Sequence, residues 1–239
     1  MTRVPRLYVP GRLAPGLAVL NSDQSRRLAD VVRLREGDEF RLFNGDGKEW
    51  KAVVTGIARG QLHGQIVECV REEPPLPLVV EVWCGLVRPN RFDWAIEKCA
   101  EAGADVVRPI VTARAARGDG SSELRQERWA RIATEAAEQC GRLSLPVVEP
   151  PGQFADLLGR HRGPLLLGDV AGPPWPEAAR AVPEQGRLVI AVGPEGGFTP
   201  DEVARAKAAG AQLARFGPNV LRTETAAVAA VALVRSLGR

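Results

Sequence analysis

Two stretches decide the fold of this chain: Gly193-Pro194-Glu195-Gly196-Gly197-Phe198 and Phe216-Gly217-Pro218-Asn219-Val220-Leu221-Arg222-Thr223-Glu224-Thr225. Each follows a short apolar run that predicts a strand, and each leads into a predicted helix. Glycine adopts backbone conformations closed to other residues and lets a ligand approach the main chain without meeting a side chain. The pair therefore predicts a single nucleotide-like pocket at the ends of two strands.

Around these loops, predicted strands alternate with predicted helices. The strands cover 78–87, 106–111, 165–167, 188–192 and 213–216, and the helices cover 91–102, 122–140, 200–209 and 223–237. Such alternation predicts an α/β domain whose mainly parallel sheet is covered on both faces. Ligands of open α/β sheets bind beyond the carboxyl ends of the strands, where Gly168, Gly193 and Gly217 fall.

The first 72 residues have a different pattern. Predicted strands cover 17–20, 39–43, 50–57 and 65–70, a hairpin is marked by Asn44-Gly45-Asp46-Gly47, and one helix is predicted over 22–35. This indicates a compact, barrel-like β module over 1–72. Three prolines within 73–77 favour an extended linker, so a second domain is predicted over 78–239.

Composition excludes several classes of protein. With 45% apolar and 26% charged residues, the 239-residue chain is typical of globular proteins. Its longest apolar run, 226–234, is too short to cross a membrane, and the first residues lack the apolar core of a signal peptide, so we expect a cytoplasmic protein. The four cysteines lack metal-binding spacing, which predicts reduced, mostly buried thiols and no metal site.

Positive charge is concentrated in residues 1–35, where seven arginines less two aspartates leave a local charge of +5, against +3 for the chain. Arginine suits phosphate and base-edge contacts, so this segment is a candidate nucleic-acid surface, with Arg3, Arg6 and Arg33 as candidate contacts. The alternative is ordinary solvated surface charge.

The glycine loops favour one kind of ligand over others. No Gly-Lys-Ser/Thr follows the first loop, and its glycine spacing is a poor match to a dinucleotide fingerprint. Loops with exposed main-chain groups and few charged side chains suit an uncharged adenine and ribose better than phosphates. This favours an adenosyl cofactor.

The same loops carry a family resemblance. Together with the stretches 90–103 and 138–142, they closely resemble the signature of the SPOUT methyltransferases, and in particular the RsmE family. The similarity covers nearly the whole chain. It implies a trefoil-knotted SPOUT domain, an N-terminal PUA-like RNA-binding barrel and a homodimer. It also implies transfer of methyl from S-adenosylmethionine to N3 of a uridine in small-subunit (16S) ribosomal RNA. The RNA substrate is either naked or part of an assembled 30S-type subunit.

The resemblance also implies functional residues. The expected cofactor-binding residues are Leu167, Gly168, Gly193, Pro194, Gly196, Gly197, Phe216, Gly217, Leu221 and Thr223. For Leu167 and Leu221, plain core packing is the alternative.

Two charged residues are candidates for catalysis. Glu195 could orient the cofactor or polarise the uracil, or could only favour the start of the next helix. Arg222 could hold an RNA phosphate or stabilise charge on the uracil, or could only pair with Glu224. Uracil N3 must lose its proton to become a good nucleophile, and no histidine is placed to accept it.

Lys98, Arg114 and Arg142 lie in the matching stretches as candidate RNA contacts, although each could instead pair with a nearby glutamate. Two other functions stay open from the residues alone. One is a SPOUT enzyme acting on tRNA or another rRNA site, and the other is a non-enzymatic RNA-binding or ribosome-assembly protein.

Overall fold

The chain forms two compact units in the computed structural model, which describes residues 4–18, 20–58, 60–115 and 123–238. The N-terminal unit comprises Met1–Pro75 and Ala137–Leu145, and the C-terminal unit comprises Leu76–Ala136 and Pro146–Arg239. The assignment of 137–145 to the N-terminal unit differs from the predicted division, which placed those residues in the second domain.

The N-terminal unit is built on a five-stranded sheet. Its strands, in the order β1-β3-β4-β5-β2, are β1 (Arg6–Tyr8), β2 (Gly16–Ala18), β3 (Glu39–Phe43), β4 (Lys48–Ala58) and β5 (Gln61–Glu72). β1 runs parallel to β3, and the other pairs are antiparallel. Alternate side chains such as Leu42, Ala52 and Val54 point into one apolar core, as a sheet with one buried face requires.

The predicted helix over 22–35 is shorter in the structure. It consists of α1 (Ser22–Arg26), continued by a π-helical segment over Arg27–Val31. Asn21 and Gln24 form a reciprocal capping box at its start. At Arg33 the backbone is left-handed, with φ of 64°, so the chain leaves the helix before Arg35.

The C-terminal unit is built on a seven-stranded parallel sheet. In chain order its strands are β6 (Leu78–Gly85), β7 (Val106–Val111), β8 (Val147–Val148), β9 (Gly152–Gln153), β10 (Leu165–Gly168), β11 (Gly186–Val192) and β12 (Gln212–Ala214). The order across the sheet is β12-β10-β11-β6-β7-β8, and β9 also pairs with β7. Because all pairs are parallel, the carboxyl ends of β6, β10, β11 and β12 meet at one edge.

Helices follow the strands, as the alternating sequence predicted. They are α2 (Pro89–Ala102), α3 (Glu123–Cys140), α4 (Phe154–Arg160), α5 (Trp175–Ala178), α6 (Pro200–Ala208) and α7 (Thr223–Arg235). One face of the sheet packs with residues of α2 and α7, and the opposite face packs with residues of α4 and α6. The short elements α4, α5, β8 and β9 were absent from the predicted pattern.

Local signals account for the helix ends. Thr199 accepts a hydrogen bond from the Glu202 backbone and Glu202 accepts one from the Thr199 backbone, which confirms the capping box predicted for α6. α2 begins at Pro89 and ends at Gly103, whose φ of 103° is left-handed. These caps fix the points at which the chain turns from strand edge into helix.

The prediction of mostly buried thiols holds for two of the four cysteines. Cys84 and Cys99 are buried, whereas Cys69 and Cys140 are exposed, and all four are free. The exposed pair lies near the ends of β5 and α3, where side chains face solvent.

Candidate cofactor site

A cavity of about 580 Å³ opens at the carboxyl edge of the parallel sheet. It is lined by the ends of β10 and β11, by both glycine-rich loops, and by the first residues of α7. Clefts of this size and position are typical of small-molecule sites in α/β proteins. The structure thus places the predicted pocket at the strand ends where the sequence analysis expected it.

The first glycine loop turns tightly over the end of β6. Gly197 is left-handed, with φ of 67°, and its amide donates to the carbonyl oxygen of Pro194 at 2.8 Å. A Cβ atom at Gly85 would lie 2.4 Å from the nitrogen of Pro194. Only glycine at 85 therefore allows the loop to approach the end of β6 this closely.

A buried hydrogen bond joins the two glycine-rich loops. The Thr223 hydroxyl, at the start of α7, donates to the Gly193 carbonyl oxygen at 2.9 Å. Thr223 itself is 3% exposed. Because the bond lies out of solvent, it fixes the second loop against the first.

The lining is part apolar and part charged. Val192, Phe198 and Phe216 contribute buried apolar surface. Five charged residues also reach the lining, namely Arg91, Asp169, Glu195, Arg215 and Arg222. Glu195 and Arg222 belong to the glycine-rich loops, whereas Arg91, Asp169 and Arg215 lie outside them, so the cavity carries more charged side chains than the loop sequences alone indicate.

Eight of the ten predicted cofactor-binding residues line the cavity: Gly168, Gly193, Pro194, Gly197, Phe216, Gly217, Leu221 and Thr223. The other two do not. Leu167 is fully buried among apolar residues on the sheet face that packs with α4 and α6, so core packing describes it. Gly196 is turned toward Arg114, whose Nη1 donates to the Gly196 carbonyl oxygen at 2.8 Å.

Both predicted catalytic residues line the cavity. Arg222 is exposed and occupies the N-cap position of α7, where its side chain makes no capping hydrogen bond. Its alternative partner Glu224 instead lies 3.8 Å from the Nε atom of Arg91. Glu195 accepts a hydrogen bond from Nη1 of Arg91, so both acidic residues share one arginine that the sequence analysis did not single out.

The structure contradicts the prediction that Arg6 contacts RNA. Its side chain is 8% exposed and pairs with Glu49. Its guanidinium also donates to the carbonyl oxygens of Ala137 and Glu138 at 3.2 and 3.0 Å. With its donors used inside the N-terminal unit, Arg6 is a structural residue.

The remaining RNA candidates differ in their surroundings. Arg33 is exposed, and Arg114 binds the first glycine loop. Hydrogen bonds to Glu101 and Glu97 raise the pKa of Lys98. Arg142 donates to the Ser144 hydroxyl within the N-terminal unit, and Arg3 lies outside the described residues.

Within the described residues, no group of three or more His, Cys, Asp or Glu side chains is arranged to hold a metal ion. No helix in the same part of the chain is both long enough and apolar enough to cross a membrane.

Sequence profiles of two domain families match the chain. The profile described as an RNA methyltransferase domain matches residues 74–235, and that of an RNA methyltransferase PUA domain matches residues 20–67. The ribosomal RNA small subunit methyltransferase E of Synechocystis is 34% identical over 238 residues, covering 97% of this chain and 77% of that protein.

Solved structures agree over the whole chain. A methyltransferase from Legionella pneumophila in complex with SAM has a TM-score of 0.88 and 28% identity, covering 99% of this chain and 98% of that one. The Ribosomal RNA small subunit methyltransferase E of Neisseria gonorrhoeae, bound to S-adenosyl methionine, has a TM-score of 0.85 and 29% identity, with 98% of each chain covered.

The fold and the site define this chain as a SPOUT methyltransferase domain with an N-terminal PUA-like domain. The resemblance drawn from the loop sequences is confirmed. The chain belongs to the ribosomal RNA small subunit methyltransferase E family.

Proposed function

We propose that this chain transfers the methyl group of S-adenosylmethionine to N3 of a uridine in 16S ribosomal RNA. The observation that carries the proposal is the cavity formed by the two glycine-rich loops, in a chain whose relatives are named ribosomal RNA small subunit methyltransferase E. Solved relatives with SAM or S-adenosyl methionine bound support the choice of cofactor.

The residues of the cavity fit S-adenosylmethionine. Main-chain groups of Gly193 and Gly217, beside the apolar side chains of Phe216 and Leu221, suit an adenine and a ribose. Asp169 and Glu195 supply carboxylates for a ligand that carries positive charge. When bound, this cofactor supplies an electrophilic methyl group on a sulfonium.

The chain's own residues have to bring the uridine to that methyl group. Arg222 and Glu195 line the cavity and are the proposed catalytic residues. Arg222 would stabilise negative charge on the uracil oxygens as N3 loses its proton. Because N3 lies on the pairing edge, the target base must be unpaired when it enters the site.

RNA is the proposed partner, presented as 16S rRNA or as an assembled 30S-type subunit, which would place the enzyme in the cytoplasm. The PUA match over 20–67 supports RNA binding by the N-terminal unit. Arg33, Lys98, Arg114 and Arg142 remain the proposed RNA contacts. We also propose a homodimer, as the family resemblance implies. Two apolar side chains of the cavity lining, Val170 and Val220, are 62% and 82% exposed, and a second molecule would cover them.

The test is transfer of labelled methyl from S-adenosylmethionine to unmodified small subunits, naked 16S rRNA and tRNA. Reverse transcription maps the product, because methylation of N3 blocks the pairing edge. A single stop at a uridine of 16S rRNA is expected. Label only in tRNA would contradict the proposal, and so would the absence of transfer to any RNA.

Light scattering of the purified protein tests the homodimer. A mass of twice 25.7 kDa is expected. A mass of one chain at micromolar concentration would contradict that part of the proposal.

A further inference from the structure

One arginine at the cavity is shared by two carboxylates. Arg91 lies in the first turn of α2, and its Nη1 donates to Oε1 of Glu195 in the first glycine loop. Its Nε lies 3.8 Å from Oε1 of Glu224, in the first turn of α7. The triad thus joins the starts of α2 and α7 to the first glycine loop, and two of its members, Arg91 and Glu195, line the cavity.

The two carboxylates are held very differently. The side chain of Glu224 is 9% exposed and that of Glu195 is 56% exposed, with Arg91 between them at 33%. A buried carboxylate cannot leave its cation without a large desolvation cost, whereas an exposed pair is weak and readily exchanged. Glu224 is therefore the buried charge that stays near Arg91, at an ion-pair distance of 3.8 Å, and Glu195 is the exchangeable hydrogen-bond partner.

The triad carries one positive and two negative charges. In addition, Oε2 of Glu224 is buried and accepts no hydrogen bond from the described residues. The other oxygen of Glu224, Oε1, faces Nε of Arg91 across 3.8 Å.

A deprotonated uracil resembles the carboxylate that Arg91 already binds. Its charge is spread over O2, N3 and O4 in one plane, and a guanidinium binds planar anions through its fork of N–H donors. The uracil therefore enters with its N3 proton and places a carbonyl oxygen on Arg91 in place of Glu195, and this contact strengthens as N3 loses its proton.

We propose that Arg91 exchanges Glu195 for the target uracil, and that the released Glu195 accepts the N3 proton. This inference rests on the proposed function. The N3–H electron pair stays on N3 and forms the bond to the methyl carbon. The carbon–sulfur bond breaks with its electron pair remaining on sulfur, which converts the sulfonium into a neutral thioether. Glu195 then gives the proton to water.

In this scheme Arg91 and Glu195 are catalytic residues, and Glu224 is a positioning residue that acts through Arg91. The first test compares single-turnover methyl transfer to small subunits by the wild type, Arg91→Gln, Glu224→Gln and a control, Arg128→Gln. Arg128 is a matched control because it carries the same charge in the same unit and pairs with Asp93, away from the cavity residues.

The rate is expected to fall about 100-fold in Arg91→Gln, as for loss of a donor to a developing anion. It should fall less in Glu224→Gln and stay within twofold in Arg128→Gln. Substrate made with 5-fluorouridine has a more acidic N3–H, so the defect of Arg91→Gln should shrink on it. A defect of equal size on both substrates would mean that Arg91 only binds RNA, which would overturn the proposal.

The second test needs no turnover and uses equilibrium binding of the target RNA without cofactor. Glu195→Gln should bind RNA more tightly, because Arg91 no longer has to leave a partner. In a protein that already carries Arg91→Gln, adding Glu195→Gln should not increase the affinity for RNA. A gain that persists there would show general charge repulsion by Glu195 and would overturn the exchange.

Arg91→Lys replaces Arg91→Gln in the first test if thermal unfolding shows that Arg91→Gln does not fold. Lysine keeps the positive charge but lacks the planar guanidinium that binds two partners at once. We therefore expect a methyl-transfer rate between those of the wild type and Arg91→Gln. If the wild type makes no N3-methyluridine, the proposed function fails. If the wild type is active and Arg91→Lys and Arg91→Gln both match Arg128→Gln, only the exchange fails.

Discussion

At the scale of single residues, Gly85 determines how closely the first glycine loop approaches the end of β6. In Gly85→Ala the new Cβ would meet backbone atoms of Gly193 and Pro194 at 2.7 and 2.4 Å, and backbone cannot move aside as a side-chain tip can. We expect a loss of stability of about 1–3 kcal/mol, typical of overpacking. We also expect at least tenfold weaker binding of S-adenosylmethionine, measured by calorimetry, because the first glycine loop must shift.

Gly159→Ala is the matched control for that substitution. Gly159 lies in α4 with a right-handed backbone, and a Cβ there would meet nothing within 4 Å. Alanine should stabilise the helix by about 0.4–1 kcal/mol and leave cofactor affinity unchanged. Equal affinities in Gly85→Ala and Gly159→Ala would show that the contact between β6 and the loop does not shape the site.

The cysteines give a second residue-level prediction. Burial raises the pKa of the Cys84 thiol to about 12, helped by the charge of Glu224, and burial also raises that of Cys99. Since the thiolate is the reactive form, both should resist iodoacetamide at pH 8 in the native protein, while exposed Cys69 and Cys140 react. Mass spectrometry of the alkylated peptides checks this, and modification of Cys84 at the rate of Cys69 would contradict it.

The positions of site residues could be predicted where the main chain alone decides them. The glycines at strand ends follow from local sequence, and Gly193 and Gly217 do line the cavity. Arg91 and Asp169 were missed because a side chain's direction depends on segments far away in sequence. Arg6 was assigned wrongly for the same reason, since its charge gave no sign of the carbonyl groups that surround it.

At the scale of elements, several predicted bounds agree with the structure. β3 and β7 match their predicted bounds, and α6 starts at the predicted capping box. The two-residue strands β8 and β9 carry too few residues for a periodic signal. The trefoil knot implied by the family stays a prediction, because it depends on the path of the chain and not on any local pattern.

Glu81 ties three strands of the parallel sheet together. It is 4% exposed, and its carboxylate accepts from the indole of Trp83 on β6, from Arg108 on β7 and from Arg187 on β11. Burial alone would raise the pKa of Glu81. The hydrogen bonds from Trp83, Arg187 and Arg108 outweigh it, so the pKa is lowered from its ordinary value of 4.5.

Glu81→Gln should therefore lower the free energy of unfolding by about 3 kcal/mol at pH 7, because two arginines lose a buried anionic partner. A lowered pKa in the folded state means that the ionised carboxylate stabilises the fold above the unfolded pKa. The difference from wild type should stay constant above about pH 5 and shrink as the pH falls through the folded pKa.

Urea unfolding followed by tryptophan fluorescence measures this difference at each pH. Glu149→Gln is the control, because Glu149 pairs with the same Arg108 at 3.6 Å but is 36% exposed. Its cost should be at most about 1 kcal/mol. A Glu81→Gln difference that does not change between pH 7 and pH 3 would contradict the prediction.

At the scale of the whole molecule, neither of the two units is the one continuous segment of the chain that the sequence had predicted. The change of pattern near residue 73 is visible in sequence, but the inclusion of Ala137–Leu145 in the N-terminal unit is not. Those residues join it through tertiary contacts, such as the hydrogen bond from the Tyr8 amide to Glu138 at 2.8 Å. Contacts of this kind leave no trace in periodicity or composition.

Binding of the proposed cofactor should stabilise the whole protein by mass action. A ligand that binds only the folded state at 100 times its Kd adds about 2.7 kcal/mol to the free energy of unfolding. For a chain of this size that corresponds to a rise in Tm of roughly 5–10 °C. Scanning calorimetry with increasing S-adenosylmethionine should show a Tm that climbs with the logarithm of ligand concentration.

ATP is the control ligand, since the first glycine loop lacks the lysine that holds a triphosphate. We expect a shift of less than about 1 °C with ATP at the same concentration, from the affinity relation above. An equal shift with both ligands would mean that the cavity recognises only the adenosine they share. The carboxylates would then have no part in selecting a positively charged cofactor.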